Sequence, residues 1–187
     1  MKIIKGSTYK DVLRWGSSKR KYVPITAIQN SAPCVITCPG HGIPDGWGFQ
    51  VESVKGMKEL RALSLVAEVV DADTIIAVNT NSLEFSTYVS GGVISYNEPV
   101  DLTGYSARMH IRESFPGPIV ASLTSDDGSI VIDSANFTIS RELSATISAA
   151  FQFKRGVYDL ELYNSEGYVI KLDSGKVEIV DEVTRDV

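Results

Sequence analysis

The chain has 187 residues, 43% hydrophobic and 22% charged, with 15 glycines and 7 prolines. That balance excludes a disordered tail, a collagen-like repeat and a coiled coil, and at roughly 100–200 residues per domain it allows one domain or two small ones. The net charge is −5, but residues 1–22 hold seven Lys or Arg against Asp11 alone, so the acidic surplus lies downstream. Ile3, Ile4, Tyr9, Val12, Leu13 and Trp15 interleave with those cations as in a buried strand. The basic start is therefore expected to pack on or near the acidic body, not to bind nucleic acid. No run of about 18 apolar residues is present to span a membrane. Met1–Gly6 is too short in apolar residues for a signal peptide, so a cytoplasmic origin with reduced Cys34 and Cys38 is expected.

Short β-branched and aromatic runs punctuated by Gly, Asn, Asp and Pro predict an all-β chain. Ile3 to Trp15 reads as one or two strands around Gly6-Ser7, followed by a polar joint at Gly16-Ser17-Ser18-Lys19. Strands are predicted at 25–28, 34–38, 49–54, 65–70 and 74–78, with a helical turn or loop at 56–62. Val89-Ser90-Gly91-Gly92 reads as a second joint. Beyond it, Ala107, Met109 and Ile111 alternate with Arg108, His110 and Arg112. Further strands are predicted at 119–124, 129–132, 137–140, 157–163, 168–172 and 175–180, with one short helix near 141–150. The acidic end, Asp181 to Val187, is expected to fray.

Few residues carry chemistry by type and spacing. Cys34, Cys38 and His41 are the only close set of metal-ligand types, but a structural zinc needs four ligands and the one other histidine is His110. Cys34, Ile36 and Cys38 share one strand face, which reads as core. His41 reads as a turn residue, and His110 as an exposed strand residue. Gly40, Gly42 and Gly46 lack the strand and helix that a dinucleotide loop requires. Asp71/Asp73 and Asp126/Asp127 read as turns. No metal and no cofactor is expected. Among Trp47, Phe49, Tyr88 and Tyr96, Trp47 sits between two glycines and is the candidate for an exposed contact.

Two stretches carry a family likeness. Pro99-Val100-Asp101-Leu102-Thr103-Gly104-Tyr105 with Arg155-Gly156-Val157-Tyr158-Asp159-Leu160-Glu161-Leu162 resembles the immunoglobulin-like domain of phage tail baseplate upper proteins. Ile4-Lys5-Gly6-Ser7-Thr8-Tyr9 and Leu13-Arg14-Trp15 match that family's start, which there leads almost directly into Pro-Val-Asp-Leu-Thr-Gly-Tyr. Here residues 16–98 intervene. Ile25–Ile28, Pro33–Thr37, His41–Gly46, Val54–Leu60 and Tyr88–Gly92 look like the small FCCH-type β-module that recurs in phage structural proteins. After Leu60, where that module commonly has Asn-Gly, Arg61-Ala62 stands here.

The resemblance implies an immunoglobulin-like β-sandwich, residues 1–21 and 95–187, interrupted by an inserted small β-barrel or β-module, residues 22–94. It implies a non-enzymatic structural part of a tailed-phage virion, in the tail, neck or baseplate, assembled in the host cytoplasm. Its partners would be other virion proteins (tail core, fibre or spike) and further copies of itself, with no nucleic acid and no membrane. Lys19, Arg20, Lys21 and Trp47 are the candidate assembly contacts. A host-glycan-binding or capsid-decoration module is the alternative, with a small hydrolase behind it.

Overall fold

The computed structural model describes residues 1–182. Residues 183–187 of the end expected to fray lie outside the described residues. The protein is all-β, with a single short α-helix and one 3-10 turn at Lys58–Ala62 among the described residues. The strands are β1 (Lys2–Ile4), β2 (Tyr9–Leu13), β3 (Gly16–Pro24), β4 (Ala27–Gln29), β5 (Cys34–Thr37), β6 (Gly48–Glu52), β7 (Leu65–Val69) and β8 (Thr74–Ala77). They continue as β9 (Val93–Pro99), β10 (Tyr105–Arg112), β11 (Ile119–Thr124), β12 (Ile130–Asp133), β13 (Thr138–Leu143), β14 (Arg155–Asn164) and β15 (Val169–Val180). Helix α1 (Ala145–Ala149) lies between β13 and β14.

Met1–Trp15 and the chain from Asp101 onward form one compact unit, the flanking unit; Gly16–Val100 forms the other, the central unit. These limits differ from the expected 21/22 and 94/95. The reason is a ladder: β3 pairs antiparallel with β9 from Gly16↔Pro99 to Pro24↔Val93, which holds the Gly16–Lys19 joint inside one sheet, while Val89–Gly92 leads directly into β9. Ser17-Ser18-Lys19 is not a free linker but an irregularity in that ladder.

The flanking unit is sandwich-like, with a five-stranded sheet in the order β1-β15-β14-β10-β11 and a three-stranded sheet in the order β12-β13-β2. Period-two alternation sets the faces. Ala107, Met109 and Ile111 of β10 and Leu160 and Leu162 of β14 are buried, joined by Ile3, Leu123, Ile139, Leu143 and Val177. A fully buried side chain of this size contributes about 1.5–3 kcal/mol. The helix expected near 141–150 is shorter. Arg141–Leu143 pair with Tyr9–Asp11 as strand, because Ile139, Arg141 and Leu143 all turn inward. The helix starts only after Ser144, whose Oγ accepts the Ile147 N–H. The two strands expected at 168–172 and 175–180 run together as β15, with a register shift where Leu172 is extra.

The central unit is one seven-stranded sheet in the order β3-β9-β6-β7-β8-β5-β4. Its first and last strands, β3 and β4, are separated only by Ile25 and Thr26. The sheet must therefore curl on itself. Backbone bonds hold the curl, Ile25 N–H to Gly92 O at 3.0 Å and Thr26 N–H to Thr37 O at 2.9 Å. Ile36, Phe49, Val51, Met57, Leu60, Ile75 and Ile94 fill the interior. Gly56 is required where it stands: φ is +83°, and a Cβ would lie 2.0 Å from the Thr87 carbonyl oxygen.

Candidate functional site

Strand β3 carries Lys19, Arg20 and Lys21, and each is engaged within the central unit. Lys19 Nζ lies 2.9 Å from Glu98 on β9. Arg20 donates to Gln50 Oε1 at 3.0 Å, to Glu52 Oε1 at 3.3 Å and to Ser95 Oγ at 2.5 Å. Lys21 Nζ sits 5.9 Å from the centre of the Tyr96 ring. These pairs are solvent-facing, where an ion pair is worth about 0–1 kcal/mol.

Trp47 is not an exposed contact. It is 4% exposed, and its Nε1–H donates to the Asn97 carbonyl at 2.9 Å. Phe49 and Tyr96 are buried as well. Three of the four aromatic candidates are therefore core, and the fourth, Tyr88, is half-buried with its hydroxyl donated to the Ile25 and Gly91 carbonyls. Burial, with help from Glu98 and Cys38, pushes the Tyr96 hydroxyl up to about 12.

His41 is more than a turn residue. Its ring is buried, accepts the Ile43 N–H at Nδ1 (3.1 Å) and meets the Asp71 carbonyl through Nε2 (2.8 Å). Since Nδ1 accepts, Nε2 carries the proton and donates. Both nitrogens are committed to tying the 40–43 loop to the β7–β8 turn. Cys34 and Cys38 are fully buried thiols, and burial followed by the Asp73 charge pushes Cys38 up to about 11. Among the described residues, no group of three or more His, Cys, Asp or Glu is placed to share a metal ion. The aspartates of the turns bond locally: Asp71 Oδ1 takes the Asp73 N–H, and Asp127 Oδ1 takes the Ser129 N–H.

The flanking unit holds a cluster that the sequence reading missed. Arg141 is 3% exposed and reaches Asp11 Oδ2 at 2.7 Å and Asp173 Oδ2 at 3.1 Å. Its guanidinium lies 5.2 Å from the Tyr158 ring centre and within 3.4 Å of Met109 Sδ. Asp11 belongs to the three-stranded sheet and Asp173 to the five-stranded one, so one buried cation ties both layers together. Tyr9 and Tyr158 donate their hydroxyls to the two carboxylates. Burial alone would raise the Asp11 carboxyl; the bond and charge from Arg141 outweigh it and hold the pKa below the ordinary value.

The outer face of the five-stranded sheet is the surface that offers recognition chemistry. Its cross-strand rows follow from the register of β10, β14 and β15. One row reads Arg108, Glu161, Lys171; the next His110, Asp159, Ser174; the third Arg112, Val157, Lys176. Arg108 pairs with Glu161 at 2.8 Å and Lys171 with Asp159 at 3.1 Å, so both carboxylates are neutralised. A concave groove of about 680 Å³ runs over these rows, walled at one end by Phe115 of the β10–β11 hairpin, which is 83% exposed. Alternation of β10 placed Arg108, His110 and Arg112 outward from sequence alone. The Asn164-Ser165-Glu166-Gly167 stretch reads as a hairpin turn from sequence, and it pairs β14 with β15, which builds the rest of the face; the register shift within that pair needed the structure.

No protein-family model matches the chain, and no curated protein matches it either.

Proposed function

We propose that this chain is a non-enzymatic structural part of a tailed-phage virion, in the tail, neck or baseplate, joining a fibre or spike to the tail core by protein–protein assembly. One observation carries the reading. Trp15, which closes the family-like start, meets Tyr105 of the Pro-Val-Asp-Leu-Thr-Gly-Tyr stretch edge-to-face, with ring centres 6.0 Å apart, although residues 16–98 intervene between the two segments. Such a contact is what an insertion between two segments of one β-unit would leave, and it supports the resemblance. The other resembling stretch, Gly156–Leu162, is the hydrogen-bonded neighbour of β10, with Met109 opposite Leu160. Insertion of one β-unit into another, with charged outer faces, suits an adaptor that offers more than one contact surface.

The test is composition of purified particles. Quantitative mass spectrometry of banded virions from the lysate should find the chain at a fixed copy number per particle. Labelling with an antibody should mark the tail. A chain confined to the soluble lysate and absent from particles would overturn the reading.

A further inference from the structure

We propose that the outer face of the five-stranded sheet binds the acidic surface of a second copy of this chain, head to tail. Charge decides the occupant. Across β1, β10, β14 and β15 this face presents six Lys or Arg (Lys2, Arg108, Arg112, Arg155, Lys171 and Lys176) against Asp159, Glu161 and Glu178. The face is thus +3 on a chain of −5, which leaves the rest of the chain at −8. Glu178 stands between Lys2 and Arg155 in register, and Asp159 and Glu161 are ion-paired. The surplus of three therefore falls on Arg112, on Lys176 and on the Lys2–Arg155 pair that shares Glu178; neither Arg112 nor Lys176 has a carboxylate within 4 Å among the described residues. Arg112 is pre-positioned by donating Nη1–H to the Gly117 carbonyl. Between the two cations lies Val157, and beside them the exposed Phe115.

Val157 between two cations, with an exposed aromatic at one end, gives apolar groups that can anchor a partner and cations that select its sign. Two such faces repel one another, so a symmetric face-to-face dimer is disfavoured. A head-to-tail contact brings +3 against the oppositely charged remainder and closes into a ring when the rotation permits. This deepens the assembly reading, on which it rests only for its biological use. Particle composition and association in solution are separate observables, so either idea can fail alone.

The experiment is sedimentation velocity of the full chain over concentration and salt. The wild type should form oligomers that loosen at least tenfold between about 50 and 500 mM salt. Arg112→Glu with Lys176→Glu should weaken association roughly a hundredfold, and Phe115→Ser roughly tenfold. Arg61→Glu, in the central unit, should change nothing. The double variant keeps its acidic surface, so mixing it with wild type should shorten the wild-type oligomers. Circular dichroism checks that each variant is folded; should the double variant unfold, Lys176→Gln and the salt series decide. A wild type that stays monomeric in low salt overturns the proposal, as does association indifferent to these substitutions or a variant that fails to shorten the wild type.

Discussion

The two units solve one problem differently. Each must hold β-structure around an apolar core. The central unit does it with a single sheet curled until β3 and β4 meet, and its buried polar groups are neutral: His41 and Trp47, each bonded to a backbone carbonyl. The flanking unit has two separate sheets, joined by short connections such as residues 125–129 between β11 and β12. It places a charge between them. Arg141 reaches Asp11 in one layer and Asp173 in the other. A buried ion pair is weak evidence for net stability, since desolvating the charges offsets their attraction. Its use here is to specify which residues face each other across the layers.

The chain's two tryptophans, Trp15 in one unit and Trp47 in the other, let this contrast be tested unit by unit. Trp15→Phe and Trp47→Phe backgrounds each leave one fluorescent reporter. The largest effect should come from Arg141→Ala, at about 3–5 kcal/mol, because it leaves Asp11 and Asp173 facing each other without a cation. Urea denaturation followed by Trp15 should show it, while the Trp47 signal should not move. Arg141→Met leaves the same uncompensated carboxylates and should cost nearly as much; a much smaller cost would mean that the volume, not the charge, carries the effect. Next is His41→Leu, which orphans the buried Ile43 N–H and should cost about 1–3 kcal/mol, read by Trp47. Trp47→Phe keeps the apolar bulk but loses the bond to Asn97, at about 1 kcal/mol; thermal melting of the Trp47→Phe protein measures it. The smallest effect is acid sensitivity. Asp11 titrates below its ordinary 3.8 when folded. Its stabilisation is present above that value and is lost as pH falls through the folded pKa. Stability followed by Trp15 should therefore decline below about pH 3.8, and Asp11→Asn should flatten that decline.

Much of this was legible in the sequence, for physical reasons. Strands with one wet face announce themselves by alternation, so β10, β11 and β14 were placed from Ala107–Arg112, Ile119–Thr124 and Val157–Tyr163. Arg141 was misread because Arg-Glu-Leu-Ser-Ala has good local helix propensity, while its strand pairing with Tyr9–Asp11 is a distant contact. The same distance hid the ion cluster: nothing local in Asp11, Arg141 and Asp173 ties them together. Trp47 was misjudged because flanking glycines suggest a turn, yet its indole is held by a strand 50 residues away. The first polar joint is a strand rather than a linker because Gly and Ser also occur at ladder irregularities, as at Ser17-Ser18-Lys19.

The central claim is that the flanking unit is one β-structure completed across an insertion. The direct measurement is near-ultraviolet circular dichroism, with urea unfolding, of a chain in which Trp15 is joined to Asp101 through a short Gly-Ser linker. The account predicts a cooperative transition and retention of the aromatic signal from the Trp15–Tyr105 pair. A non-cooperative transition with no aromatic signal, under conditions where the full chain is folded, would contradict it.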